Sequence, residues 1–362
     1  MLPLATNSRT RSAARDVLER TSGYLTDLDE AAMNEVWGYE LHNLTYDAYV
    51  TDLMDMYQEF FVPLTQADPH GYKSSTSYLK DIKHRPLFKP FLDQMAAFLS
   101  FLPVRSCPLT RKIHTTMKSY PADLHEEFGT WTSKNPGWKL DYTTDPDWDR
   151  WLEEEFRGTG LAREFDAIKA DNRVIGGDLV RYLLVLIEGG LYTDSDTAAE
   201  LPVAQWGEKF FEQPVPRLPY DILSDIDDVL PACVSQKQME DQDQDKEQDD
   251  PPSFIIAQEF DYVDWRHQDK ASRREVSQWT FYAARGHPIL LDALGRSLRA
   301  VKEKRLRMGG GKWEMSGFHE ILRLAGPTSL ANALQRYLIV RYGITPEKLP
   351  GITTSLRIGD VL

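Results

Sequence analysis

Gly177–Thr197, GDLVRYLLVLIEGGLYTDSDT, is the stretch from which the rest of the chain is read. Its first half places Leu179, Leu183, Leu186 and Ile187 at helical spacing, an apolar stripe with Asp178, Arg181 and Glu188 on other faces. Gly189 and Gly190 end that helix, because glycine takes the left-handed geometry of a C-terminal cap without a Cβ penalty. Leu191 and Tyr192 follow, and the run delivers Asp194 and Asp196 with one residue between them. In an extended segment, residues two apart point to the same side about 6–7 Å apart, so both carboxylates are expected to face one point. Alone they would repel by about 2–3 kcal/mol at an effective dielectric of about 20. A divalent cation reverses that sign. An all-oxygen ligand set selects a hard ion, magnesium or manganese, which keeps positions for water or phosphate, and the simplest task of such a site is to hold a diphosphate.

Each residue taken singly has a blander meaning. Asp178 and Arg181, three apart on a helix, also fit a surface ion pair contributing about 0.2–0.5 kcal/mol. Tyr182 and Tyr192 are more often core than ligand contacts. What favours a site is the joint spacing: D-x-x-R-Y, a double glycine, then Y-x-D-x-D. That segment resembles the DXD region of the family 32 glycosyltransferases, in particular the initiating alpha-1,6-mannosyltransferases of the fungal Golgi. The matching residues are Asp178, Arg181, Tyr182, Gly189, Gly190, Tyr192, Asp194, Asp196 and Thr197.

Other stretches carry the same resemblance. Arg111–Lys118, RKIHTTMK, is similar to the family's first strand through Ile113 and His114, with Thr115 and Met117 where the family has Gln and Trp. Trp131 and Asn135-Pro136-Gly137-Trp138 match a W-x-x-x-NPG-W element. Gln278-Trp279-Thr280, Gly286-His287-Pro288 and Gly326-Pro327-Thr328 resemble elements near the substrate cleft. The likeness runs from about Thr110 to the end of the chain.

The resemblance implies an α/β sandwich of GT-A type, a GDP-mannose donor, Mn2+ (or Mg2+), and transfer with retention of the alpha configuration to a glycan acceptor in a Golgi lumen, as in the alpha-1,6 outer chain of N-glycans. On it, Asp194 and Asp196 are the metal ligands. Asp178 and Arg181 are the catalytic pair that positions the sugar hydroxyls and ribose. Ile113, His114, Asp178, Arg181, Tyr192, Asp194, Gln278 and Trp279 line the donor. Read without the family, His114 is a structural histidine, His287 before a proline starts a helix, and Trp279 either stacks on a sugar or fills core. Family members continue past the equivalent of Arg357–Leu362, RIGDVL, into a tail that helps complete the donor site. A chain ending at Leu362 is expected to lack one wall of that site, with reduced or absent turnover.

The remaining composition bounds the alternatives. The chain has 362 residues and a formal net charge of -14, long enough for a substantial core and the wrong sign for a nucleic-acid surface. Two cysteines, Cys107 and Cys233, allow one disulfide at most. Phe91–Val104 is apolar but too short to span a bilayer, no signal peptide is evident, and Asn43-Leu44-Thr45 is a sequon that matters only in a secretory lumen. Residues 1–103 read as a helical stem or packing region, with Tyr46, Tyr49, Val50, Leu53, Met54, Tyr57 and Phe61 on one face. From residue 104 to 362 short strands alternate with helices, the pattern of an α/β domain. A mobile acidic insertion is expected at about 236–252, where EDQDQDKEQDD sets seven acids against one lysine. The helix after His287 carries Arg296, Arg299, Lys302, Lys304, Arg305 and Arg307, which reads as a solvated face or, less simply, a docking surface for phosphate or lipid headgroups. Two other functions share the motif: a DxDxT phosphatase with Asp194 as nucleophile, which wants a long apolar strand where this chain has a double glycine, and a nucleotide-sugar-binding protein without turnover.

Overall fold

The double glycine behaves as its position requires. In the computed structural model, α5 (Arg173–Glu188) stops at Gly189, φ +72°, whose N–H reaches back to the Val185 carbonyl, and Gly190 continues at φ +112° straight into strand β3 (Gly190–Thr193). A Cβ on Gly190 would stand 2.5 Å from the Lys112 carbonyl oxygen of the adjacent strand, so glycine is demanded there by both conformation and space. The helix-to-strand reversal thus sets where β3 begins and which residue follows its end.

The described residues are 46–62, 109–120, 126–207, 210–212, 252–261, 274–309, 321–322, 324–342 and 355–362. Among them, helix α1 is Tyr46–Phe61, followed by β1 (Lys112–Met117), α2 (Gly129–Lys134), β2 (Lys139–Thr144), α3 (Asp145–Phe156), α4 (Gly160–Asp171), then α5 and β3. The order continues with β4 (Phe210–Glu212), β5 (Phe254–Asp261), β6 (Arg274–Ala283), α6 (Pro288–Arg307), α7 (Pro327–Tyr342) and β7 (Ser355–Arg357). Five strands form one sheet in the order β2-β1-β3-β6-β5, and β4 pairs with β7 in parallel. β2, β1 and β3 run parallel, while β6 is antiparallel to both β3 and β5. This is the α/β architecture expected from the sequence, a mixed sheet flanked by helices, with the acidic turn following the carboxyl end of β3.

Two apolar clusters lie about the sheet. Ile113, Phe128, Trp131, Leu191, Val203 and Tyr282 form the smaller one. The larger takes in the buried side of α5 with α4, α6 and α7. α5 is more deeply set than an amphipathic surface helix would be: Val180, Tyr182, Leu184 and Val185 are buried beside the predicted stripe, and so is Asp178. α1 belongs to the same cluster through Tyr49, Leu53, Met56, Tyr57, Phe60 and Phe61.

The basic run of α6 is corrected by its partners. Arg299 bonds Asp52 at 2.7 Å and Glu59 at 2.8 Å, Lys302 bonds Glu59 at 2.6 Å, and Arg305 meets the buried Glu164 at 3.0 Å. Arg296 joins Asp52 to Asp292. These four cations clasp α1 and α4 onto α6 rather than forming an open face for phosphate or headgroups; apart from Asp292, on α6 itself, the acids that answer them stand on other elements, beyond the view of the local sequence.

His287 is the N-cap of α6, its Nδ1 accepting from the Ile289 N–H at 3.3 Å, with Pro288 next, as predicted. The last residues lie beside β5: Leu362 N–H donates to the Phe254 carbonyl at 2.9 Å and Ile256 N–H to that of Leu362 at 2.9 Å. Asp360 is buried there, accepting from the Tyr337 hydroxyl at 3.0 Å and from Ser253 and Tyr342, with His287 Nε2 at 3.5 Å. The sequon at Asn43, the run Phe91–Val104, both cysteines and the acidic tract fall outside the described residues.

Candidate active site

The site is built where β3 ends. Thr193 is the last strand residue, and Asp194 leaves the sheet with its N–H still donating to the Trp279 carbonyl of β6 at 2.8 Å. The chain then turns at Ser195 and Asp196 instead of staying extended. The cause is Thr197, whose hydroxyl lies 2.6 Å from the Asp194 carbonyl and 2.6 Å from the Thr193 hydroxyl, and accepts from the Trp131 indole N–H at 3.0 Å. The two carboxylates therefore share a turn rather than one side of a strand: Asp194 is half-buried and Asp196 exposed.

Asp194 Oδ1 accepts from the Tyr192 hydroxyl at 2.7 Å, and that hydroxyl also pairs with Thr116 of β1 at 2.8 Å. Tyr192 itself is fully buried and stacked on Phe281. From α5, Arg181 reaches the same point: its guanidinium lies 3.6 Å from Asp194 Oδ1, 2.8 Å from Asp178 Oδ1 and 5.1 Å from the Tyr192 ring centre, and donates to the Gln278 carbonyl at 3.4 Å. Asp178 and Arg181 are thus no surface pair, since both are nearly buried. Gln278 completes the group, its Nε2 donating to Asp178 Oδ1 at 3.4 Å while its Oε1 accepts from the Tyr182 hydroxyl at 2.7 Å. Tyr182 in turn donates to the Gly326 carbonyl at 3.2 Å, which ties the start of α7 to this cluster.

The electrostatics follow from two acids and one cation in a half-dry place. Burial pushes Asp178 up to about 6, with the Asp194 charge adding and the Arg181 charge opposing. Burial also raises Asp194, which the Arg181 guanidinium and the Tyr192 hydroxyl pull down and the Asp196 charge pushes up again. Arg181 is held above its ordinary value: burial works against its charge, and Tyr192, Asp178 and Asp194 outweigh it. For both acids burial is the leading cause, and Arg181 is the charge that opposes it.

Asp178, Arg181, Tyr192, Asp194 and Gln278 come together as a bonded group, with Asp196 across the turn. Trp279 presents an exposed ring beside it, 38% accessible, its carbonyl holding the Asp194 N–H. Ile113 and His114 do not join: both are 0% exposed, Ile113 in the smaller apolar cluster and His114 with Nε2 on the Gly189 carbonyl at 3.0 Å. Burial, then the neighbouring Lys112 charge, lowers the His114 pKa. Sequence reasoning passed over Thr116 and gave Thr197 no role. Thr116 lies two places after His114, on the same face of β1 by strand alternation, and Thr197 is a hydroxyl three residues after Asp194, the spacing of a side chain that caps a turn.

Comparison with known proteins agrees with the motif. The chain is 24% identical over 239 residues to the initiation-specific alpha-1,6-mannosyltransferase of Candida albicans, covering 63% of this chain and 51% of that protein. The proteins of that name from Schizosaccharomyces pombe and Saccharomyces cerevisiae are each 25% identical, over 190 and 188 residues, or 52% and 51% of this chain and 38% and 37% of theirs. The chain spans about half the length, or less, of the curated relatives it matches. No family model matches it. Among solved structures it is similar to a PaToxG glycosyltransferase at a TM-score of 0.35 and 13% identity, over 71% of this chain and 79% of that one. No helix among the described residues is long and apolar enough to cross a membrane.

Proposed function

We propose that this chain is a divalent-metal-dependent, retaining glycosyltransferase that moves mannose from GDP-mannose to a glycan acceptor, with the alpha-1,6 linkage of N-glycan outer chains and a Golgi lumen as its setting. The names of its curated relatives support the transfer and the sugar. One observation carries the site: a buried guanidinium, Arg181, held by Asp178 and Gln278 directly beside Asp194 where β3 ends.

The residues present fit a hard cation. Asp194 and Asp196 offer only oxygen from two positions of one turn, with Asp196 open to solvent. An ion held by these two would neutralise charge developing on the departing diphosphate, the electrostatic task that dominates such catalysis. The chain's own side chains do the rest. Arg181 offers donors in a fixed planar fork to sugar or phosphate oxygens, and Asp178 and Gln278 hold that fork still. Tyr192, braced by Thr116, fixes the rotamer of Asp194. Trp279 supplies a flat apolar surface suited to a sugar face.

Isothermal titration with GDP-mannose, with and without manganese, followed by measurement of GDP release and of transfer to an alpha-mannosyl oligosaccharide, tests the reading. Manganese-dependent binding and turnover, both abolished in Asp194→Asn, are expected. Binding without GDP release would leave a donor-binding protein in place of an enzyme; no binding of any nucleotide sugar would overturn the proposal.

A further inference from the structure

A second cluster of ligating side chains lies at the other end of the same strands. Lys112, His114, Asp141 and Glu188 converge where β1 and β2 run past the end of α5, before β3 begins. His114 pairs with Tyr192 across β1 and β3, two residues before Asp194, so at roughly 3.3 Å per residue the histidine lies about 7 Å and Lys112 about 13 Å along the strands from the acidic turn. One ligand atom each from His114, Asp141 and Glu188 lies within 4.8 Å of the others.

Acids grouped around a lysine are ordinarily an ion-pair cluster, and here the Lys112 ammonium does contact Asp141 at 2.7 Å and Glu188. That arrangement leaves one group unanswered. His114 Nε2 meets the Gly189 carbonyl at 3.0 Å, and a carbonyl can only accept, so the proton sits on Nε2 and Nδ1 carries a lone pair. Nδ1 is buried without a hydrogen-bond partner, 3.9 Å from Asp141 Oδ2. An orphaned buried acceptor forfeits its hydrogen bond to water and gets none in return. An ammonium that reaches both carboxylates still leaves that nitrogen unsatisfied, whereas a metal ion among the three would engage all of them. A ligating histidine characteristically donates its far N–H to a backbone carbonyl, which fixes tautomer and ring, and the Gly189 carbonyl already does this.

We propose that His114 Nδ1, Asp141 and Glu188 form a second divalent-metal site, of zinc class, which Lys112 occupies as a displaceable internal cation. Three protein ligands leave a fourth position for water. A nitrogen donor with two carboxylates favours zinc, cobalt or nickel over magnesium, in contrast to the all-oxygen pair Asp194 and Asp196. The Asp141 and Glu188 side chains are 33% and 27% exposed, which gives an ion a way in and the Lys112 amine a way out. The ion's place, where β3 starts, makes it a clamp between α5 and β1. The inference stands apart from the glycosyl-transfer reading.

Calorimetric titration of the metal-stripped full chain with zinc chloride tests it, in a background carrying Asp194→Asn and Asp196→Asn so that the acidic turn is silent. One zinc ion should bind in that background, and adding Glu188→Gln or His114→Gln should weaken it at least about tenfold, the scale on which such sites respond to lost partners. Glu188 is half-exposed, so its variant tests the site even should His114→Gln not fold. Lys112→Met should tighten binding, and cobalt substitution should give visible absorption that Glu188→Gln removes. No zinc binding in the background variant, binding unchanged by Glu188→Gln, or binding weakened by Lys112→Met would each overturn the site.

Discussion

Replacing Asp178 by asparagine should make this protein more stable at neutral pH while harming its chemistry. The carboxyl is 7% exposed and its pKa is pushed to about 6, burial being the largest cause, against about 3.9 in an unfolded chain. The sign follows from linkage. A folded-state pKa raised above the unfolded value means the native state holds its proton longer, so stability falls as pH rises from about 3.9 through about 6 and stays lower above that. Two pKa units at about 1.4 kcal/mol each give a penalty of roughly 3 kcal/mol at pH 7.5, absent near pH 3.5. Asparagine has the shape of the neutral acid, and its Oδ1 can still accept from Arg181 Nη2 and Gln278 Nε2, both of which now bond Asp178 Oδ1. Urea denaturation at a series of pH values measures this, with a shift in midpoint at constant slope as the readout. The expected result is a gain of about 3 kcal/mol at pH 7.5 that shrinks to nothing in acid. A variant less stable than wild type at pH 7.5, or equally shifted at both ends of the range, would refute the account of Asp178 as a carboxylate held ionised at a cost.

Arg181→Met removes the cation between two acids and should cost about 3–5 kcal/mol at pH 7.5 and abolish GDP-mannose turnover; lowering the pH toward 5 should restore part of the stability as Asp178 protonates, which chemical denaturation would show. Asp360→Asn should destabilise by about 3–5 kcal/mol, since this carboxylate, held well below the usual range by His287, Arg341 and the Ser253 hydroxyl despite its burial, answers three hydroxyls. Tyr342→Phe, which removes one donor to it, should cost about 1.5–3 kcal/mol, and thermal melts compare the two. His287 is lowered by burial, so its share of stability is complete above about pH 6.5 and lost as pH falls through its folded value; His287→Asn should flatten the stability profile there. Gly190→Ala, at φ +112° with 2.5 Å to the Lys112 carbonyl, should prevent β3 from closing on β1, seen as loss of soluble folded protein by circular dichroism.

Local chemistry made much of this legible. The end of α5 at the double glycine, the strand at Lys112–Met117, the turn through Asn135 to Trp138 and the capping role of His287 each depend on a few adjacent residues, and each is where the sequence places it. Asp178, Arg181, Tyr192 and Asp194 were likewise readable as a spaced set. The extended geometry expected between Asp194 and Asp196 fails because a hydroxyl three residues on competes for the backbone, a contest that strand alternation alone does not register. Gln278 meets Asp178 from 100 positions away, and the α6 cations find acids on α1 and α4. Pairings of that range come from sheet order and helix packing, which no window of sequence contains.

Asp52 meets Arg296 and Arg299 across 244 and 247 positions of chain, and Glu59 meets Arg299 and Lys302 across 240 and 243. At about 5–20 residues per second on a ribosome, the greasy side of that early helix waits tens of seconds for its cover to be synthesised. Until α6 is synthesised, Leu53, Met56 and Phe60, all fully buried in the end, lack the helix whose cations clasp their own, and the nascent chain carries that apolar face uncovered by it.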